Sequence, residues 1–100
     1  MNEKVKKILE NRIIQYGYKA QLGVVQEECA ELIVAVSHYL RGRYDAVDKD
    51  LEEVVKPLYK EVMDVQVMLW QLQLIFGFEE LDRDAARMVE EGGVFLQRRS

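Results

Sequence analysis

Proline, glycine and cysteine are all scarce in this chain of 100 residues, which contains one proline and six glycines. A protein built from many short strands needs turn residues about every ten positions, so this scarcity argues against an all-β fold. Cys29 is the only cysteine. A single thiol excludes a disulfide framework or a thiolate metal site formed within one chain.

Positive charge is also in deficit, because 14 Lys and Arg residues face 18 Asp and Glu residues, for a formal net charge of −4. The basic residues are dispersed, with no cationic stripe, so we expect no nucleic-acid partner. The N-terminal residues lack the apolar core of a signal peptide. The charge-free run 65–78 is shorter than the roughly 20 residues that a bilayer requires. These absences predict a cytoplasmic protein without a membrane partner.

Apolar residues make up 49% of the chain, and their spacing predicts a single all-α domain over residues 1–100. We expect a four-helix bundle-like protomer with antiparallel central helices. The predicted helices cover about residues 3–16, 19–40, 57–76 and 79–91, and residues 93–100 are predicted to form a loose tail.

Two of these boundaries depend on single residues. Gly42 is expected to stop the second helix as its left-handed cap. Pro57 disfavours helix at Lys56 and suits the first turn of a new helix. The polar segment 44–56 is therefore predicted to be a loop with a short helical piece around 51–55.

The third predicted helix is apolar on two sides. One stripe contains Leu58, Val62, Val65, Leu69, Leu72 and Phe76. The second stripe, about 150° around the helix, contains Met63, Val67, Trp70 and Leu74. A helix that is apolar on two sides needs cover on two sides. We therefore expect self-association as a dimer or tetramer, with Trp70 or its neighbours in the contact. The alternative is that this helix lies at the centre of one protomer.

Two acidic pairs occur on the second and third helices. Residues three apart share a helix face, so Glu28 pairs with Glu31, and Glu61 pairs with Asp64. Each pair lies at the edge of an apolar stripe and points along the seam between the two helices. Four carboxylates at a half-buried seam repel one another, and a divalent cation removes that repulsion. Oxygen ligands favour Mg²⁺, with Mn²⁺ as a substitute.

The alternative is solvated surface charge, since acidic pairs are common on helices and Lys56 and Lys60 are available to neutralise them. The motif sequence argues for the metal. Glu27-Glu28-x-x-Glu31 followed by Glu61-x-x-Asp64 resembles the EExxE…ExxD signature of the MazG-like, all-α NTP pyrophosphatase superfamily. The similarity covers residues 21–77. The interval between the motifs is at or beyond the long end of the family's range, and 45–55 is interpreted as an inserted excursion.

The resemblance implies an Mg²⁺-dependent hydrolase that converts a (deoxy)nucleoside triphosphate to the monophosphate and pyrophosphate, by attack of water at the α-phosphorus. The implied metal ligands are Glu28, Glu31, Glu61 and Asp64. The resemblance also implies that Glu27 binds a second ion or orients the attacking water.

Basic and aromatic side chains are candidates for holding the substrate. Lys60 is the first candidate for gripping the β and γ phosphates, with Arg83 and Arg87 as further candidates. Tyr16 is a candidate wall for the base. The alternative for each of them is an ordinary surface position.

Two rival functions were weighed against this one. A di-iron bundle needs Glu-x-x-His pairs, and the only histidine, His38, has Ala35 three positions before it. His38 is therefore predicted to be a partly exposed helix residue rather than a ligand. A non-catalytic helical oligomerisation or adaptor module would explain the two-sided third helix but not the acidic seam. Cys29 falls on the apolar stripe of the second helix and is predicted to be a core thiol.

Overall fold

The structure, a computed structural model, describes residues 1–45 and 51–92. Within these ranges the chain forms four α-helices and no strand. The helices are α1 (Glu3–Tyr16), α2 (Tyr18–Asp45), α3 (Leu51–Phe76) and α4 (Leu81–Glu90). The predicted all-α class is confirmed for this part of the protein. None of these helices combines the length and the apolar character needed to cross a membrane. The predicted tail and residues 46–50 of the predicted excursion lie outside the described residues.

Side-chain and glycine caps explain where the helices begin and end. The side-chain oxygen of Asn2 accepts a hydrogen bond of 2.9 Å from the backbone N–H of Val5, which starts α1. α1 ends at Gly17 with a φ of 87°, and α3 is followed by Gly77 with a φ of 70°. Side chains rarely adopt such positive φ values, so glycine is suited to both turns.

Two predicted boundaries are wrong. α2 continues through Gly42 to Asp45, because a glycine inside a helix costs only about 1 kcal/mol relative to alanine and does not by itself end it. α3 begins at Leu51 and contains Pro57 near its start. A proline removes one backbone hydrogen bond and clashes with the preceding turn. The helix-forming residues on both sides of Pro57 offset this loss, so the short helical piece and the third helix become one.

α2 and α3 form the most extensive helix pair, and they run antiparallel. Tyr18, at the start of α2, lines one cavity with Leu74 at the end of α3. At the opposite end of the pair, His38 lines another cavity with Pro57. α1 packs on both helices, and its Ile13 shares the cavity with Tyr18. α4 makes only marginal contact with the other three helices. The predicted four-helix bundle therefore stays a prediction.

The inward face of α3 coincides with neither predicted stripe. Met68 and Gln71 are buried, and Glu61 is half-buried on the same side of the helix. This face lies about 100° from the centre of each apolar stripe. Both stripes keep exposed members, such as Val62 at 47% and Met63 at 46% exposure. The acidic residues thus lie within the packing face of α3 rather than at its edge.

Cys29 is exposed, so the prediction of a core thiol is wrong. The inward face of α2 contains the buried Gln21 and the half-buried Glu28. Ile33 is 67% exposed and, like Cys29, lies outside that face. One neighbouring helix covers only part of a broad apolar stripe, and the remainder of this stripe faces outward.

The chain exposes more surface than a compact monomer of its mass. Its accessible area is 8026 Å² for 11.7 kDa, whereas a folded monomer of that mass exposes about 5,900 Å². The radius of gyration is 16.6 Å, against about 13 Å for a compact domain of 100 residues.

Candidate metal site

Three glutamates come together where α2 and α3 pack. One carboxylate oxygen from each of Glu28, Glu31 and Glu61 lies within 4.8 Å of the other two. Glu28 and Glu31 share a face of α2 because they are three residues apart, and the antiparallel packing brings Glu61 of α3 opposite them. The structure therefore joins three of the four predicted metal ligands across two helices.

Two of these carboxylates carry buried oxygens that no donor satisfies. Glu28 and Glu61 each have an Oε2 atom that is shielded from solvent and has no hydrogen-bond partner. Such an atom is costly unless a donor or a cation compensates it. Magnesium binds oxygen at about 2.1 Å, so ligands on opposite sides of the ion are about 4.2 Å apart. The spacing and chemistry of the three glutamates fit a hard divalent cation.

The electrostatics of Glu28 agree with this fit. Burial raises the pKa of the Glu28 carboxyl above its usual value, and the negative charges of Glu31, Asp64 and Glu61 raise it further. A hydrogen bond with Glu31 acts in the same direction. Without a cation, burial and the neighbouring charges therefore disfavour the charged form of Glu28. A divalent ion at the same place favours the charged form of all three carboxylates.

Asp64 is half-buried but does not belong to the group of three. Its Oδ2 accepts a hydrogen bond of 2.7 Å from Nζ of Lys60, one turn earlier on α3. This contact with Asp64 is the main reason that the pKa of Lys60 is raised. Lys60 is 66% exposed. In this structure the fourth predicted ligand is neutralised by the first predicted phosphate contact, and both assignments stay predictions.

The structure does not bring the other predicted site residues to this group. Glu27 is exposed and does not belong to the group of three clustered carboxylates. Tyr16 lies at the turn between α1 and α2, and the ten residues from the start of α2 to Glu28 span about 15 Å. Tyr16 is therefore at the wrong end of α2 to form a wall beside the acids.

Arg83 and Arg87 belong to α4, which makes only marginal contact with α2 and α3. Arg83 forms ion pairs of 3.1 Å with Glu80 and 3.2 Å with Asp84, within its own segment. Neither arginine is near the glutamates in a single chain. A phosphate-binding role for either one would need a different arrangement of α4.

A cavity beside the glutamates was not predicted. It has a volume of about 370 Å³ and is lined by Glu31, Val34, Ala35, His38, Pro57 and Glu61. His38 is exposed, as predicted, but it also lines this cavity. The spacing of His38 in the sequence could have indicated this position. His38 follows Glu31 by seven residues, which is about two helical turns, so the two side chains share one face of α2.

The fold and this group define an all-α protein with a carboxylate cluster suited to a divalent cation. No protein-family model, no curated protein and no solved structure matches this chain. Membership of the MazG-like superfamily therefore stays a prediction, which rests on the resemblance of the residues Glu27-Glu28-x-x-Glu31 and Glu61-x-x-Asp64 to the family signature.

Proposed function

We propose that this chain is a MazG-like, Mg²⁺-dependent nucleotide pyrophosphohydrolase that converts a (deoxy)nucleoside triphosphate to the monophosphate and pyrophosphate. The observation that carries the proposal is the convergence of Glu28, Glu31 and Glu61 within 4.8 Å. Two of the three keep buried oxygens without a partner. Phosphoryl transfer requires mainly positioning and charge neutralisation, and a cation held by these three residues supports both.

The acidic side chains and Lys60 each have a specific role in the proposed reaction. Glu28, Glu31 and Glu61 would hold Mg²⁺, which when bound polarises the α-phosphate and lowers the pKa of water. Asp64 would complete the ligand set if its ion pair with Lys60 opened. The freed ammonium group of Lys60 then binds a phosphate oxygen. Glu27, the outer neighbour of Glu28, orients the attacking water or binds a second ion.

Hydrolysis in ¹⁸O-labelled water tests the reaction. A panel of nucleoside triphosphates is incubated with the protein and Mg²⁺, and both products are analysed by mass spectrometry. Attack at the α-phosphorus puts the label in the nucleoside monophosphate, with pyrophosphate as the unlabelled product. Label in orthophosphate together with a nucleoside diphosphate would show an ordinary NTPase and contradict the proposal.

A non-catalytic helical oligomerisation or adaptor module is the second candidate. The exposed apolar residues on α2 and α3, such as Ile33 and Val62, favour it. It gives no reason for buried, unpaired carboxylate oxygens at Glu28 and Glu61. Absence of pyrophosphate release across the whole nucleotide panel, with Mg²⁺ or Mn²⁺ present, would favour the module.

Self-association as a dimer or tetramer is part of the proposal. The exposed members of both apolar stripes of α3, such as Val62 and Met63, support it. Trp70 is half-buried on one of these stripes, which leaves part of its ring for a second copy. The apolar side chains of α4 are exposed as well, with Met88 at 51% and Val89 at 46% exposure. A cytoplasmic location also stays a prediction.

A further inference from the structure

The cavity beside the glutamates is continuous with the candidate metal site. Glu31 and Glu61 belong both to the group of three glutamates and to the cavity wall. The volume of about 370 Å³ is near the lower end of the range of roughly 300–1,000 Å³ for small-molecule pockets. A ligand bound through the glutamates therefore has space beside them for one small organic group.

From the glutamates, the cavity extends along the seam toward the end that contains His38 and Pro57. On α2, His38 lies seven residues beyond Glu31, about 10 Å along the helix axis. On α3, Pro57 lies four residues before Glu61, about 6 Å along that axis. Because the two helices are antiparallel, both displacements point the same way.

The opposite direction along the seam is filled by protein. Met68 is 7% exposed and Gln71 is 1% exposed, so side chains close that path. A nucleoside triphosphate whose phosphates are held at the glutamates extends its nucleoside toward His38 and Pro57, where the cavity is open.

The chemistry of the wall limits how a ligand is recognised. Apart from the two glutamates, the lining consists of the apolar residues Val34, Ala35 and Pro57, and of His38. A nucleobase carries several hydrogen-bonding groups on its edge, whereas this wall offers one imidazole. Apolar walls discriminate weakly between ligands of similar shape.

We propose that this cavity is the nucleoside subsite, that Val34 and Pro57 contact the base through apolar surface, and that His38 is its only polar contact from the described wall. The inference rests on the proposed function, since the phosphates must be held by the three glutamates. It predicts an enzyme that accepts several bases and tolerates apolar substituents on them.

Filling the cavity tests the location of the subsite. Val34→Phe is compared with Ile33→Phe, which adds the same ring to a neighbouring exposed residue outside the cavity. Calorimetry measures binding of an α,β-imido nucleoside triphosphate and of inorganic triphosphate, each with Mg²⁺. We expect Val34→Phe to weaken the nucleotide analogue about tenfold or more and inorganic triphosphate less than twofold. Ile33→Phe should change neither affinity.

Two further measurements separate the subsite from the metal site and from folding. Mn²⁺ affinity, measured by electron paramagnetic resonance, should be the same in Val34→Phe and the wild type. His38→Ala should weaken the analogue and narrow the differences among the four bases, and His38→Gln should restore part of the loss because its amide also forms hydrogen bonds. Circular dichroism checks that each variant is folded.

The failures of the two proposals are distinguishable. If neither the analogue nor inorganic triphosphate binds the wild type with Mg²⁺, the proposed function is wrong. If both bind and Val34→Phe weakens neither of them, or weakens both equally, the function stands and the subsite lies elsewhere.

Discussion

The seam between α2 and α3 and the surface of α4 leave opposite kinds of groups without a partner. At the seam, Glu28 and Glu61 bury carboxylate oxygens that have no donor. On α4, Leu81, Met88 and Val89 keep 37–51% of their surfaces exposed, with no other helix of the described chain covering them. A buried carboxylate oxygen without a partner and an exposed apolar surface are both energetically unfavourable. The seam is suited to a cation, and α4 is suited to a second protein surface.

The two regions also differ in how they use their local charges. On α4, Arg83 pairs with Glu80 and Asp84, and acidic residues in the first turn interact favourably with the helix dipole. At the seam, Lys60 forms an ion pair with Asp64. The charges of Glu61 and Glu28 act on Lys60 more weakly, and among the described residues neither glutamate forms an ion pair with it. Charged residues close in sequence therefore stabilise α4 as a helix, whereas the carboxylates of the seam require a bound cation to neutralise them.

The largest expected effect is the loss of turnover when a seam glutamate is neutralised. Glu61→Gln should lower the rate of pyrophosphate release by about 10²–10³-fold, because one negative ligand of the ion is lost. Glu10→Gln, which removes an exposed carboxylate from α1, is the matched control and should leave the rate unchanged. Near wild-type activity of Glu61→Gln would remove it from the ligand set.

A charge on the apolar face of α4 should break the assembly without affecting the seam. Light scattering at micromolar concentration should show a dimer or tetramer for the wild type. Met88→Asp should raise the dissociation constant about thirtyfold or more, equivalent to ~2 kcal/mol, because it buries an unpaired charge. Arg87→Ala on the other face of α4 is the control. A monomeric wild type would contradict self-association altogether.

Magnesium should stabilise the seam and leave α4 unaffected. At about tenfold excess over its dissociation constant, an ion that binds only the folded state adds ~1.4 kcal/mol. For a domain of this size, that corresponds to a rise in Tm of about 6–11 °C. Thermal unfolding is followed by circular dichroism with MgCl₂ and with NaCl at equal ionic strength. An equal rise in both salts would argue against a specific site.

The smallest expected effect is the pH dependence of the metal-free protein. The pKa of Glu28 is raised above its usual value of 4.5, so the folded state binds more protons than the unfolded state just above that pH. The free energy of unfolding should therefore fall as pH rises from 4.5 through the raised pKa.

Glu28→Gln should flatten this dependence, and saturating Mg²⁺ should reverse its sign because the ion favours the charged carboxylates. Urea unfolding at a series of pH values measures the slope. A wild-type slope that is unchanged in Glu28→Gln would assign the pH dependence to another group.

Much of the site could be read from spacing, because helical periodicity places residues three apart on one face. That rule was enough to pair Glu28 with Glu31. The position of Glu61 opposite them depended on the antiparallel packing, which was expected from the bundle but not proven by the pattern. Lys60 was assigned to the substrate, and only the coordinates show its contact with Asp64.

The incorrect prediction for Cys29 and the unpredicted cavity have a common physical cause. Hydrophobic periodicity shows which side of a helix is apolar, but it does not show which neighbouring helix covers that side. Cys29 lies on an apolar stripe that is wider than one adjacent helix, so it is exposed. The cavity beside His38 is lined by Val34 and Ala35 of α2 and by Pro57 of α3, residues that are far apart in sequence.

The sequence by itself determined the all-α class, the limits of α1 and the acidic pairs, because these depend on residues a few positions apart. Caps, turn glycines and i, i+3 spacing act within a single helix and do not need the rest of the chain. The tertiary structure decided which face of α3 turns inward, that α2 and α3 bring three carboxylates within 4.8 Å, and that α4 stands apart. These outcomes depend on how side chains from distant segments fill shared space, and that competition is settled only when the helices pack.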